Sequence, residues 1–195
     1  MGIKSLLLVA CLVLLQASCS KKPETPTVDL AIPGTATIKD IMESHVDPSG
    51  DFVFESVQQI ADDKGARTKS PQTDAEWAEV RHHLTVLATA PDYMVMAGRK
   101  AARPEDRSAF PDVENQPEEV QALMDSQHDD FVRRANALKA AAAVGLKAVD
   151  AKDPDALMQA ALGVDHACES CHLHYWYPKD ARARQAAIEE GVPLD

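Results

Sequence analysis

Residues 153–175 read DPDALMQAALGVDHACESCHLHY, and the fold turns on this stretch. Asp153 suits an N-cap. Pro154 suits the first helical position, where a missing N–H costs nothing. Leu157, Ala160, Ala161, Val164, Ala167, Cys168 and Cys171 recur at three- and four-residue intervals, so they share one side of a helix that reaches at least Tyr175. The preceding segment, Pro117 to about Lys152, keeps a similar period through Val120, Leu123, Met124, Phe131, Leu138, Ala142, Leu146 and Val149. Its Glu118 and Glu119 favour the positive end of the helix dipole. Further back, Thr73 and Glu76 spell a capping box ahead of Trp77, Val80, Leu84 and Leu87. Pro91 is expected to stop or kink that helix, with a turn or two from Tyr93 to Arg99 and a long loop on to Gln116. Ile38, Ile41, Met42 and His45 mark a first helix from Thr37, which Asp47-Pro48 should interrupt. Its pattern resumes with Phe52 or Val53, then Val57 and Ile60, and ends near Asp62, before a polar loop over residues 63–71. These segments predict an all-α chain: an antiparallel four-helix bundle over residues 37–178, then a polar tail over 179–195. The low aromatic content, 5%, and the abundance of alanine agree with helices.

The N-terminus carries one charge, Lys4, before the apolar run from Leu6 to Leu15. That run has the length of a signal-peptide core and is short for a membrane span. Ala17-Ser18-Cys19 then resembles a bacterial lipoprotein cleavage site. Residues 1–18 are therefore read as a signal peptide and Cys19 as a lipidation site, with ordinary signal cleavage as the alternative. Export to the periplasm follows from either. Residues 19–36 hold three prolines and several threonines and read as an extended tether, which would hold the domain off the membrane. The formal charge of −11 repels nucleic acid and anionic lipid and would favour a basic protein partner.

Four cysteines cannot build a disulfide framework here, since Cys11 leaves with the leader and Cys19 is spoken for. The remaining pair sits in Cys168-Glu169-Ser170-Cys171-His172, a C-x-x-C-H motif of covalent haem attachment. On a helix, positions i and i+3 lie on nearly one face, so both thiols reach one edge of a porphyrin. His172 follows at i+4 from Cys168 and can meet the iron. A redox dithiol would favour a βαβ context. Zinc could draw on Cys168, Cys171 and His172 with His166 or His174, although structural zinc ligands usually come from two separated segments.

With this motif on its last predicted helix, the chain resembles the class II cytochromes c, the cytochrome c′ and cytochrome c-556 group. The segments Ile38-Lys39-Asp40-Ile41-Met42, Val46-Asp47-Pro48-Ser49 and 171–178 look like those of exported proteins related to that group. The resemblance implies one covalent haem c, with Cys168 and Cys171 as thioether residues and His172 as proximal iron ligand. It offers Met42 as the sixth ligand, with His45 as a substitute and ordinary core packing as the alternative. Met94, Met96 and Met124 are read as core. His166 and His174 are expected to point away from His172, at most one of His82 and His83 faces the core, and Trp176 and Tyr177 either cover a haem edge or pack the bundle's end. The implied function is electron transfer with a periplasmic redox partner. The alternatives are an open-site haem that binds NO or CO, and a non-haem metal-binding lipoprotein. A homodimer through helix faces fits the resemblance. No nucleophile–base pair, phosphate loop or paired-carboxylate site stands out, so the chain is not read as an enzyme.

Overall fold

A computed structural model describes residues 26–63 and 65–194. Residues 1–18, expected to be a signal peptide, and Cys19, expected to be lipidated, lie outside the described residues. The chain is mostly helical, with one two-stranded hairpin. Among the described residues, no helix is long and apolar enough to cross a membrane.

The first helical stretch is continuous where an interruption was expected. Helix α1, Ile38–Ile41, starts at Thr37, whose side chain accepts from the Asp40 N–H while Asp40 accepts from the Thr37 N–H. A π turn, Met42–Val46, leads directly into α2, Asp47–Ser56. The wider turn is the physical answer to Pro48: it opens the ladder just where a proline ring would meet the carbonyl four residues back. The chain then forms β1, Gln58–Asp62, and β2, Gly65–Lys69, paired antiparallel with Ile60 opposite Arg67. This hairpin replaces the expected helix end and loop. Gly65 sits at φ +107°, which a side chain would resist.

Helix α3, Asp74–Met94, begins with the expected capping box of Thr73 and Glu76. It runs straight through Pro91, which is buried inside it. The single helix expected from Pro117 to Lys152 is two: α4, Pro117–Ser126, and α5, His128–Ala151, parted at Gln127. The break is held from α6, Pro154–Tyr175, where His174 Nε2 lies 2.8 Å from Gln127 Oε1. Asp153 caps α6 as expected, accepting from the N–H groups of Asp155 and Ala156 at 3.0 Å each. Beyond it, the expected polar tail folds into α7, Ala181–Glu190, capped by Asp180 and closed by Gly191 at φ +78°. Its Ala187 and the following Val192 are buried against Leu173 of α6.

Packing joins α2 to α3, α3 to α5, α5 to α6, and α6 back to α2. The core between them holds Ile41, Val53, Leu84, Leu87, Leu138, Leu146, Leu157 and Val164. At the α3–α5 crossing Gly145 allows the closest approach: a Cβ there would stand 2.7 Å from Leu84 Cδ2. Leu84 is fully buried and cannot swing away. Gly145→Ala should therefore destabilise the fold by about 1–3 kcal/mol of overpacking, despite roughly 1 kcal/mol of better helix propensity. A lower midpoint of urea unfolding would show it.

Part of the segment expected to be an extended tether lies against the helices. Leu30 and Ile32 pack against the core. Buried Arg99 donates from Nη1 to the carbonyls of Pro33, Gly34 and Ala36, at 3.1, 3.2 and 2.5 Å, and clamps this strap to the body.

Candidate functional site

The face of α6 that carries the C-x-x-C-H motif opens onto a small, mostly apolar cleft. Cys168, Cys171 and His172 line it together with Ala167 from the same helix. Met42, Val46 and Asp47 reach it from the π turn and the start of α2, Met94 from the end of α3, and Arg134, Ala135 and Leu138 from α5. The π turn has a direct consequence here. Residues four and five apart on it share a face, so Met42, Val46 and Asp47 meet the cleft together.

The motif residues are half-buried, and both cysteines are free thiols. Burial pushes the Cys168 thiol up to about 12, with the neighbouring Cys171 adding to it. Burial likewise raises Cys171 to about 11, against the opposing charge of Arg134. A thiol–disulfide catalyst needs the opposite, a lowered thiol pKa. Burial lowers His172 to about 4, so its imidazole is neutral at pH 7 and keeps a lone pair for a metal.

The end of α6 folds back over this histidine. The N–H groups of Trp176 and Tyr177 both donate to the His172 carbonyl, at 2.8 and 2.9 Å. That turn sets the Trp176 ring edge-on to His172, with centroids 5.1 Å apart, while Trp176 stays 45% exposed. The Tyr177 hydroxyl donates to Glu169 Oε2 at 2.6 Å and stands 3.4 Å from His172 Nδ1. Burial and the Glu169 carboxylate hold the Tyr177 phenol well above its ordinary pKa, so it keeps its proton.

Behind the motif, Arg134 is 3% exposed. Its Nε donates to Asp130 Oδ2 at 2.8 Å, and its Nη1 donates to the Ser170 carbonyl at 2.9 Å and to Ser170 Oγ at 2.6 Å. Ser170 Oγ in turn donates to the Pro193 carbonyl at 2.5 Å, so the segment after α7 is tied to the motif.

The structure thus brings Met42 into one cleft with Cys168, Cys171 and His172. His45 is absent from the lining and pairs with Ser44 Oγ at 2.7 Å. Met94 is core, as expected, yet it also lines the cleft. His174 is held by Gln127, away from His172. His83 is stacked on Phe52 at 4.1 Å and bonded to Ser49, while His82 is exposed. Among the described residues, no group of three or more His, Cys, Asp and Glu side chains is arranged to hold a metal ion. Sequence reasoning misses Arg134 and Asp47 as site residues, and it names Tyr177 without its bond to Glu169. Arg134 does leave a signal: it falls between Phe131 and Leu138 on an otherwise apolar stripe, with Asp130 four residues before it.

The donor set suits a flat, covalently held haem: two thiols and a neutral imidazole on one helix face, in one cleft with the Met42 thioether. In comparisons with known proteins, no family model, no curated protein and no solved structure matches this chain.

Proposed function

We propose that this chain is an exported c-type cytochrome that carries one haem c and transfers electrons in the periplasm. The observation that carries this reading is that Cys168, Cys171 and His172 share one face of α6 and open into the same cleft as Met42. In this reading the stretch 38–56, α3, α5 and α6 form the antiparallel four-helix bundle of the class II cytochromes c, with the haem on its last long helix.

Each residue then has a role. The Cys168 and Cys171 thiols would each add S–H across one vinyl C=C of the porphyrin, and the thioethers would hold the cofactor permanently. The neutral His172 imidazole would hold the iron through its Nε2 lone pair, and Met42 would be the sixth ligand, offered from the π turn. Bound there, the haem supplies a one-electron iron couple, and methionine ligation raises its potential. Leu138, Ala135 and Ala167 exclude water from the site. Exposed Trp176, edge-on to His172, gives a short route from the ligand to a partner's surface. The acidic charge suits a basic redox partner, and the function is that of a carrier rather than an enzyme. Cleavage before Cys19, with or without a lipid, would place the domain in the periplasm, and pairing of two copies through helix faces is compatible with it.

Optical spectra of the full chain, made with an active haem-attachment system, test this. Covalent haem with a low-spin reduced spectrum that CO leaves unchanged is the expected result. Cys168→Ser/Cys171→Ser should lose covalent haem completely, as read by haem stain after denaturing electrophoresis. A high-spin spectrum that shifts with CO would replace electron transfer by gas binding. Wild-type protein without covalent haem, but with bound zinc, would overturn the reading.

A further inference from the structure

We propose that Tyr177, held by Glu169, is a positioning residue that fixes the tautomer of His172 and sets how strongly its imidazole donates to iron. The inference rests on the haem reading for its second half only.

The geometry begins with α6. Glu169 and His172 are three residues apart and share a face. The turn that ends the helix brings Tyr177 back over both, through its N–H bond to the His172 carbonyl. The Tyr177 hydroxyl has one proton, and the 2.6 Å bond to Glu169 Oε2 uses it. Its oxygen is left only as an acceptor toward His172 Nδ1, 3.4 Å away. That arrangement favours a proton on Nδ1 and leaves Nε2 free. The carboxylate polarises the phenol and strengthens it as an acceptor. An imidazole whose far N–H is so held is a more basic ligand. A more basic ligand favours the oxidised iron, so the pair should lower the midpoint potential.

Two variants and two readouts test this on the full chain. Tyr177→Phe deletes one hydroxyl and keeps the ring. Glu169→Gln leaves the hydroxyl and removes the charge that polarises it. In the haem-loaded protein, Tyr177→Phe should raise the midpoint potential. The reduced-to-oxidised ratio at fixed potential should rise about threefold to tenfold, tenfold being 59 mV for one electron. Glu169→Gln should move it the same way by less. The iron–histidine stretch in resonance Raman, read in the Met42→Ala background where the ferrous iron is five-coordinate, should fall in frequency in both, which a merely structural loss would not produce. In the chain expressed without haem attachment, ¹⁵N shifts should show His172 protonated at Nδ1, and Tyr177→Phe should abolish that preference. An unchanged potential and Raman band in both variants would overturn the proposal, and so would an Nε2-protonated His172 in the wild-type haem-free chain. Failure of haem attachment in the wild type would instead sink the haem reading, with the ¹⁵N readout still judging the Tyr177–Glu169 pair.

Discussion

Arg134→Ala is expected to cost the fold about 3–5 kcal/mol, the range for removing one partner of a buried ion pair. Arg134 is buried, and three of its bonds run to two different elements: Asp130 on its own helix, and the backbone and side chain of Ser170 on α6. Truncation leaves the Ser170 carbonyl without its cation. Asp130 keeps Arg133 and the Tyr175 hydroxyl at 3.1 Å, and it is partly exposed, so the lower end of the range is expected. The midpoint of urea unfolding at unchanged slope measures it. A pH series adds a second signature. Burial works to raise the Asp130 carboxyl, but the hydrogen bonds and charges of Arg134 and Arg133 outweigh it and hold the group at about 2. A carboxyl lowered in the folded state contributes stability that is complete above its ordinary pKa near 4. That contribution is lost as pH falls toward 2, where the folded form finally binds the proton. Wild-type stability should therefore fall between pH 4 and 2, and Arg134→Ala should flatten that slope. An Arg134→Ala protein with the wild-type midpoint would show that the pair contributes nothing net.

Arg134 escapes the reading of the sequence although its position carries a signal. A charged residue on an apolar helical stripe, with an acid one turn before it, announces a buried pair. The caps are legible: Thr73 with Glu76, and Asp153 with Pro154, begin their helices where local hydrogen bonding demands. The motif is legible because its chemistry is local, three side chains within one and a half turns. What escapes depends on partners distant in sequence, or on the lack of any buried face. The hairpin is exposed along most of β1 and all of β2, so no alternation of apolar residues marks it. No glycine or proline marks the break at Gln127, which His174 and Tyr175 hold from another helix. Pro48 reads as a break because a proline removes one hydrogen bond; the chain widens its turn instead. Helix α7 has both of its signals, Asp180 and Gly191, but only Ala187 and Val192 bury behind them, too few for a periodic stripe.

Met42→Ala is the second large change, and it separates the two haem functions. Met42 sits at the start of the π turn, half-buried, and lines the cleft opposite the helix that carries His172. A thioether there has the flexibility to meet iron, and methionine is equally able to fill a core gap. The two roles differ in outcome. If Met42 is a ligand, the wild-type reduced protein ignores CO, and Met42→Ala opens the sixth position. CO should then shift the spectrum at micromolar concentration, the iron should turn high-spin, and the midpoint potential should fall with the loss of methionine ligation. If Met42 only packs, the spectrum stays as it was and stability alone drops, by about 2–5 kcal/mol for a buried methionine and less for one half-exposed. Met94 is the informative control, because it lines the same cleft from α3 and is almost fully buried. Packing predicts that Met94→Ala costs more stability than Met42→Ala and leaves the iron alone. A reversal, with Met94→Ala opening the iron and Met42→Ala silent, would move the sixth ligand from the π turn to the end of α3. A π turn selected to present Met42 should persist, with its ligand, when Pro48→Ala removes the steric reason for it. A turn that exists only to admit the proline should relax to an α-helix, rotate Met42 off the cleft, and give the same CO-sensitive spectrum as deleting the methionine.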